Sequence, residues 1–214
     1  MKKQKLVDLI LLVIFGVIMF ISKMIMEFLP NIHAIAMFIA VFTLYYRHRA
    51  LISIYVYAFL IGFIYGFSMW WYPYLYIWTI LWAFIMLIPK RLSLKWKVVF
   101  ATIFCALHGI LYGTLYAPFQ AIAFGLTFEG MLSWIVVGFP WDIVHMCGNI
   151  ALSVLIAPLY KTIEKLSANR QTTTITRKSS KQGDKIAPNA FKLEPYENDK
   201  SRYYLRVNKN SQQR

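Results

Sequence analysis

Long apolar runs, broken only by short polar turns, fill the chain up to about residue 163. They cover roughly 6–29, 31–46, 50–70, 73–89, 96–116 and 141–163, each far longer than a strand. The period-two alternation of barrel strands is missing from them, so they predict six membrane-spanning α-helices. At 1.5 Å per residue the first reaches ~36 Å, enough to cross a ~30 Å hydrocarbon core with tilt. The second and fourth reach only ~24 Å and are expected to stop short of one surface or lean on neighbours. Between the last two runs, APFQAIAFGLTFEGMLSWIVVGFP (117–140) is predicted as a loop plus a short helix at about 129–138. Pro140 is then expected in the first turn of the last span, where its missing N–H costs nothing. The apolar pattern vanishes at residue 167, and the segment 167–214, with eleven Lys/Arg against four Asp/Glu, is expected to be a disordered basic tail.

Composition sharpens this into a class. The chain of 214 residues is 59% hydrophobic and only 15% charged, where soluble domains carry about a quarter charged residues. The expected fold is an all-α polytopic membrane protein. Up to Lys165, every Lys and Arg except Lys23 falls at the N-terminus, the 46–49 turn, the 89–97 turn or the C-terminal end of the last span. The opposite connections, 30–31, 71–73 and 117–140, have none. That is the positive-inside asymmetry, and it predicts both termini in the cytoplasm of a multi-pass cell-membrane protein. The net charge of +14 comes from these turns and the tail, so no nucleic-acid partner is expected, and the tail's basic character suits anionic membrane lipid. The first run resembles a signal peptide's core but is too long and lacks a small-residue cleavage site, so it reads as a retained helix. Cys105 and Cys147 lie in apolar runs, read as small buried hydrophobes, and no His/Cys group has zinc spacing. Neither a metal nor a cofactor is expected.

Small residues mark candidate helix seams. Ala101, Cys105, Gly109, Gly113 and Ala117 recur every four residues in the fifth span, and Ala58, Gly62 and Gly66 do so in the third. Polar groups inside a membrane are costly unless they face protein or water, so they are the candidate functional residues. Lys23 lies ~26 Å from the inner boundary with Glu27 one turn later, placed to pair with it. His108 lies ~18 Å deep in the fifth span, and Asn31 and His33 occupy an outer turn. In GFPWDIVHMCGN (138–149), Asp142, His145 and Asn149, followed by Ser153, fall within an arc of about 80° on a helical wheel. Each of these groups also has a structural reading as dipole complement or interhelical glue. Their convergence on the outer half favours an outward-facing cavity. Trp70, Trp71, Tyr74, Trp78 and Trp141 gather at the same end, and Tyr112 and Gln120 join the candidate binding set. An aromatic-walled pocket with a few polar groups suits a small planar solute. Walker, GxSxG and HExxH motifs are missing, so the sequence gives no positive signal for an enzyme.

The stretches SKMIMEFLPNIH (22–33), YGFSMWWYPYLYIWT (65–79), LYAPFQA (115–121) and GFPWDIVHMCGN resemble the substrate-binding S components of energy-coupling factor (ECF-type) vitamin importers. The resemblance covers residues 1 to about 166. It implies a six-helix subunit that captures a vitamin or related micronutrient from outside. Its implied partners are a transmembrane coupling protein and two cytoplasmic ATPases. It also implies that Pro30–His33, Trp70–Tyr74 and the 117–140 segment cover the ligand. Many S components dock through an alanine-x-x-x-alanine pattern on the first helix, whereas here that helix has only Gly16 among large apolar residues. The competing classes are a structural or regulatory membrane protein with no small-molecule ligand, and a self-sufficient small transporter.

Overall fold

The computed structural model describes the backbone of residues 2–181, 191–196 and 199–207, and the side chains of residues 6–169. Eight α-helices occupy the described residues: α1 (Lys2–Ile25), α2 (Ile35–Tyr46), α3 (Ala50–Tyr65), α4 (Tyr74–Met86), α5 (Leu94–Ile110), α6 (Tyr112–Phe124), α7 (Phe128–Leu152) and α8 (Ile156–Lys181). Four helical stretches are long and apolar enough to cross a membrane: Leu6–Ile25, Ile35–Tyr65, Leu94–Phe124 and Phe128–Asn169. The chain is therefore a helical membrane protein. In lipid a helix satisfies its own backbone polar groups, which is why the apolar runs take this form.

The chain forms two compact units, one ending at Ile156 and one beginning at Ala157. Cross-helix contacts fix the direction of each helix in the first. Going up α1, Asp8 meets Arg49, the Leu12 carbonyl meets Ser53, Gly16 meets Val56, and Met24 meets Tyr65, so α1 and α3 are parallel. His33, just before α2, meets Trp78, and Arg47, just after it, meets Ile88, so α2 and α4 are parallel. Tyr55 with Thr79 and Trp71 with Ala58 make α3 and α4 antiparallel. Phe84 with Phe104 and Ile77 with His108 do the same for α4 and α5. Successive helical runs thus alternate in direction, and Ile35–Tyr65 folds back on itself at the 3-10 turn Arg47–Arg49. Arg47, with positive φ, donates to the carbonyls of Met86 and Ile88 where α4 ends, occupying acceptors left over at a helix C-terminus.

Several expectations change. The 117–140 segment is almost entirely helical: α6 reaches Phe124, α7 starts at Phe128, and the connection shrinks to Gly125–Thr127. Gly125 stops α6 in a left-handed conformation, and the Thr127 hydroxyl accepts from the Gly130 amide to cap α7. Pro140 lies inside α7 instead of starting a helix. A continued helix there leaves one acceptor unbonded, whereas a break leaves several polar groups against lipid. In the second unit α8 continues to Lys181, and strands β1 (Phe191–Tyr196) and β2 (Asp199–Val207) pair antiparallel. Disorder was expected across this segment. The register sets Phe191 opposite Val207 and Leu193 opposite Leu205, an alternation that the overall charge of the tail hides. The remainder of the 167–214 tail lies outside the described residues.

Candidate binding site

The small-residue stripe of α5 is the seam against α7. A Cβ on Gly109 would lie 2.8 Å from the Met146 Cα and 2.9 Å from Asn149 Nδ2. Ala101, Cys105 and Ala117 are fully buried. This close approach brings the α7 polar stripe within reach of the α5 backbone. Asn149 Nδ2 donates to the Cys105 carbonyl at 2.9 Å, and Ser153 Oγ donates to the Asn149 carbonyl at 2.6 Å. Asp142, Asn149 and Ser153 are all buried. The other expected seam is half right: Ala58 and Gly62 are buried, but Gly66 has φ +89 with nothing near it, and ends α3. Cys147 differs from Cys105 in being exposed.

Helices α5 and α6 are separated by a break at Leu111, whose φ of -97 and ψ of 0 leave the helical region. The break frees the Gly113 amide from its usual carbonyl, and both Asp142 carboxylate oxygens accept from it at 3.0 and 3.1 Å. Asp142 therefore caps α6 from a neighbouring helix, where a carboxylate also complements the positive end of the dipole. A Cβ at 113 would lie 2.6 Å from Asp142 Oδ2, so a larger residue there would displace the capping carboxylate.

Four rings, from the turn before α2 and from α4, α5 and α7, pack against one another. Centroids lie 5.7 Å apart for His33–Trp78, 5.4 Å for Trp78–His108, 6.4 Å for His108–His145 and 4.8 Å for His145–His33. Tyr112 contacts three of them, and reaches His145 at 4.9 Å. Each of the four rings holds one buried nitrogen without a hydrogen-bond partner: His33 Nδ1, Trp78 Nε1, His108 Nδ1 and His145 Nε2. Trp78, His108 and His145 are at most 3% exposed. His108 Nε2 sits 3.1 Å from the Ile77 carbonyl, which can only accept, so Nε2 carries the hydrogen and neutral His108 presents Nδ1 as an acceptor.

The remaining candidates sort around this cycle. Tyr74 lies behind Trp78 at 5.9 Å and interacts with the Tyr112 hydroxyl. Tyr57, which the sequence reading did not single out, is buried behind the same indole at 6.2 Å. Its only signal is its place four residues after Ser53, on the face that meets other helices. Trp71 is turned away and donates to the Ala58 carbonyl at 2.7 Å. Trp70 is half-buried, and its carbonyl accepts from Tyr116. Gln120 is half-buried on α6, Trp141 is 55% exposed, and Asn31 is exposed with positive φ. Lys23 pairs with Glu27 at 3.0 Å, as the i, i+4 spacing predicts, and Glu27 also accepts from Tyr65 at 2.7 Å. Glu27, beyond the end of α1, is held below the ordinary carboxylate range, first by the Tyr65 hydroxyl and then by Lys23. Among the described residues no group of three or more His, Cys, Asp or Glu has the geometry to hold a metal ion.

No family model, curated protein or solved structure matches the chain. Its function is therefore argued from the site.

Proposed function

We propose that the chain is a membrane-embedded substrate-binding subunit of an ECF-type importer, capturing a small vitamin-like molecule for ATP-driven uptake by a shared coupling module. It crosses the cell membrane six times with both termini inside. The alternating helix directions support that topology, as does the gathering of the basic turns, Arg47–Arg49 and Lys90–Arg91, at one end of the bundle. The ring cycle lies toward the other end, near the turns before α2 and α4, which is where an importer meets its substrate.

The observation that carries the binding role is the cycle of four rings with one unpartnered buried nitrogen apiece. Leaving a buried polar group unpaired costs about 1–3 kcal/mol, so a purely structural core has every reason to avoid four together. Asp142 and Ser153, by contrast, make internal hydrogen bonds that hold the fold, while Asn149 gives its Nδ2 to the α5–α7 seam and leaves its Oδ1 buried without a partner. The expected stripe thus divides: Asp142 and Ser153 hold the fold, while His145 Nε2 and Asn149 Oδ1 remain free for a ligand.

The sequence carries no nucleotide-binding motif, so ATP-driven transport would draw on partners. Copurification with a transmembrane coupling protein and ATPases, and ATP-dependent uptake only in their presence, are the expected results. Uptake by the chain alone in proteoliposomes would instead make it a self-sufficient transporter.

A further inference from the structure

We infer that the ring cycle takes an uncharged, planar nitrogen heterocycle with both N–H donors and lone-pair acceptors, and rejects anionic and cationic relatives of the same shape. The inference rests on the binding role proposed above and concerns the same site. Three features of that site lead to it.

The first is the polarity of the free atoms. Trp78 Nε1 is a donor only, and His108 Nδ1 is an acceptor once Nε2 is given to the Ile77 carbonyl. His33 Nδ1 and His145 Nε2 serve either way, according to tautomer. A guest must therefore accept at one edge and donate at another, which lactam, amide and ring N–H groups do. The second is shape. The rings contact one another directly, with Tyr112 as a further face, so a guest must part them, and a flat one stacks between them where an aliphatic one leaves gaps.

The third is charge. Of the charged side chains at this end, Lys23, Glu27 and Asp142 are already used, and Glu129 is exposed on the first turn of α7. Lys23 is held by Glu27, whose second oxygen takes the Tyr65 hydroxyl. Both Asp142 oxygens face the Gly113 amide at the positive end of α6. A cationic guest would enter a buried site whose nearby carboxylates are already paired, and an anionic one would need a proton placed on one of the buried histidines, so either costs more than burying a neutral polar group.

The test uses the full chain in detergent and probe pairs alike in shape but different in charge: nicotinamide with nicotinate, thymine with orotate, and nicotinamide with cationic 1-methylnicotinamide. Binding is read by calorimetry. The expected result is saturable binding of at least one neutral member, and weaker binding of its charged partner by a hundredfold or more. Trp78→Phe keeps a ring in place and removes only the N–H, and should weaken that binding roughly tenfold or more with the unfolding midpoint little changed. His33→Ala, at a half-buried turn position, provides a second variant whose folding is less at risk. Tighter binding of a charged member, binding of a divalent metal ion that His145→Ala abolishes, or no binding of any neutral member overturns the inference. Copurification with the coupling proteins is scored separately. A charged ligand found together with those partners refutes the ligand class and leaves the transport role standing, whereas the lack of both ligand and partners refutes the role itself.

Discussion

Gly109→Ala tests the seam that holds the site together. A methyl group at this position meets the Met146 Cα at 2.8 Å, the Met146 amide nitrogen at 2.9 Å and Asn149 Nδ2 at 2.9 Å. Two of these are backbone atoms of α7, so no rotamer change relieves the clash, and α5 must move away from α7. Overpacking of this kind costs about 1–3 kcal/mol, and the better helix propensity of alanine returns up to about 1 kcal/mol. The net expectation is a loss of about 1–2 kcal/mol. Gly138→Ala supplies the control, because it makes the same change in α7 with nothing within 4 Å of the added methyl. It should be neutral or stabilising by up to about 1 kcal/mol. Reversible unfolding in mixed micelles compares the two directly. Indistinguishable unfolding curves would refute the close α5–α7 approach, and with it the placement of Asp142 and Asn149 against the α5 backbone.

Further expectations follow from the same contacts. Asp142→Ala should cost about 1–2 kcal/mol as the α6 cap is lost, and Asp142→Asn distinctly less, since an amide oxygen still accepts from Gly113; equal losses would mean that the cap contributes nothing. Tyr65→Phe should raise the Glu27 pKa toward the ordinary carboxylate range, read by carbon NMR of labelled glutamate. Because the folded value is depressed, the stability linked to Glu27 is present above its unfolded value and lost as pH falls through the folded one. The variant should show less of that acid-side loss, and an unchanged Glu27 titration would contradict the contact. Cysteine introduced at Ser68 or Thr127 should react with an impermeant reagent from outside, and at Ser93 should not; the reverse labelling pattern would invert the topology.

Much of the fold is visible in the sequence because lipid leaves few options. The apolar runs and the one-sided Lys/Arg placement carry the helix positions, and the fourfold spacing of Ala101 to Ala117 carries the main seam. What stayed hidden depends on contacts distant in sequence. Hydropathy does not show that Leu111 interrupts the fifth helical run, since the break becomes tolerable only through Asp142, 29 residues from Gly113. Nor does Pro140 announce that it lies within a helix, because proline marks a start and an interior kink with the same letter. At the site, His33, Trp78, His108, Tyr112 and His145 were legible as polar or aromatic groups at outer depth. Their division of labour was not. The wheel puts Asp142, His145 and Asn149 on one arc, and only the cross-helix contacts show that Asp142 is spent on the Gly113 amide, that Asn149 gives Nδ2 to the Cys105 carbonyl but keeps Oδ1 free, and that His145 Nε2 has no partner. Lys23 and Glu27 show the opposite case, a pairing that spacing alone predicts.

The central claim is that the bundle captures a small molecule on its ring cycle. Its most direct test is to purify the full chain from its native membrane, denature it, and identify by mass spectrometry what is released, with His145→Ala and Trp78→Phe treated in parallel. The account predicts one compound released in proportion to the wild-type protein and depleted in both variants. A wild-type preparation that folds, unfolds cooperatively and releases nothing above the variants would contradict it, and would leave the histidines as structural groups.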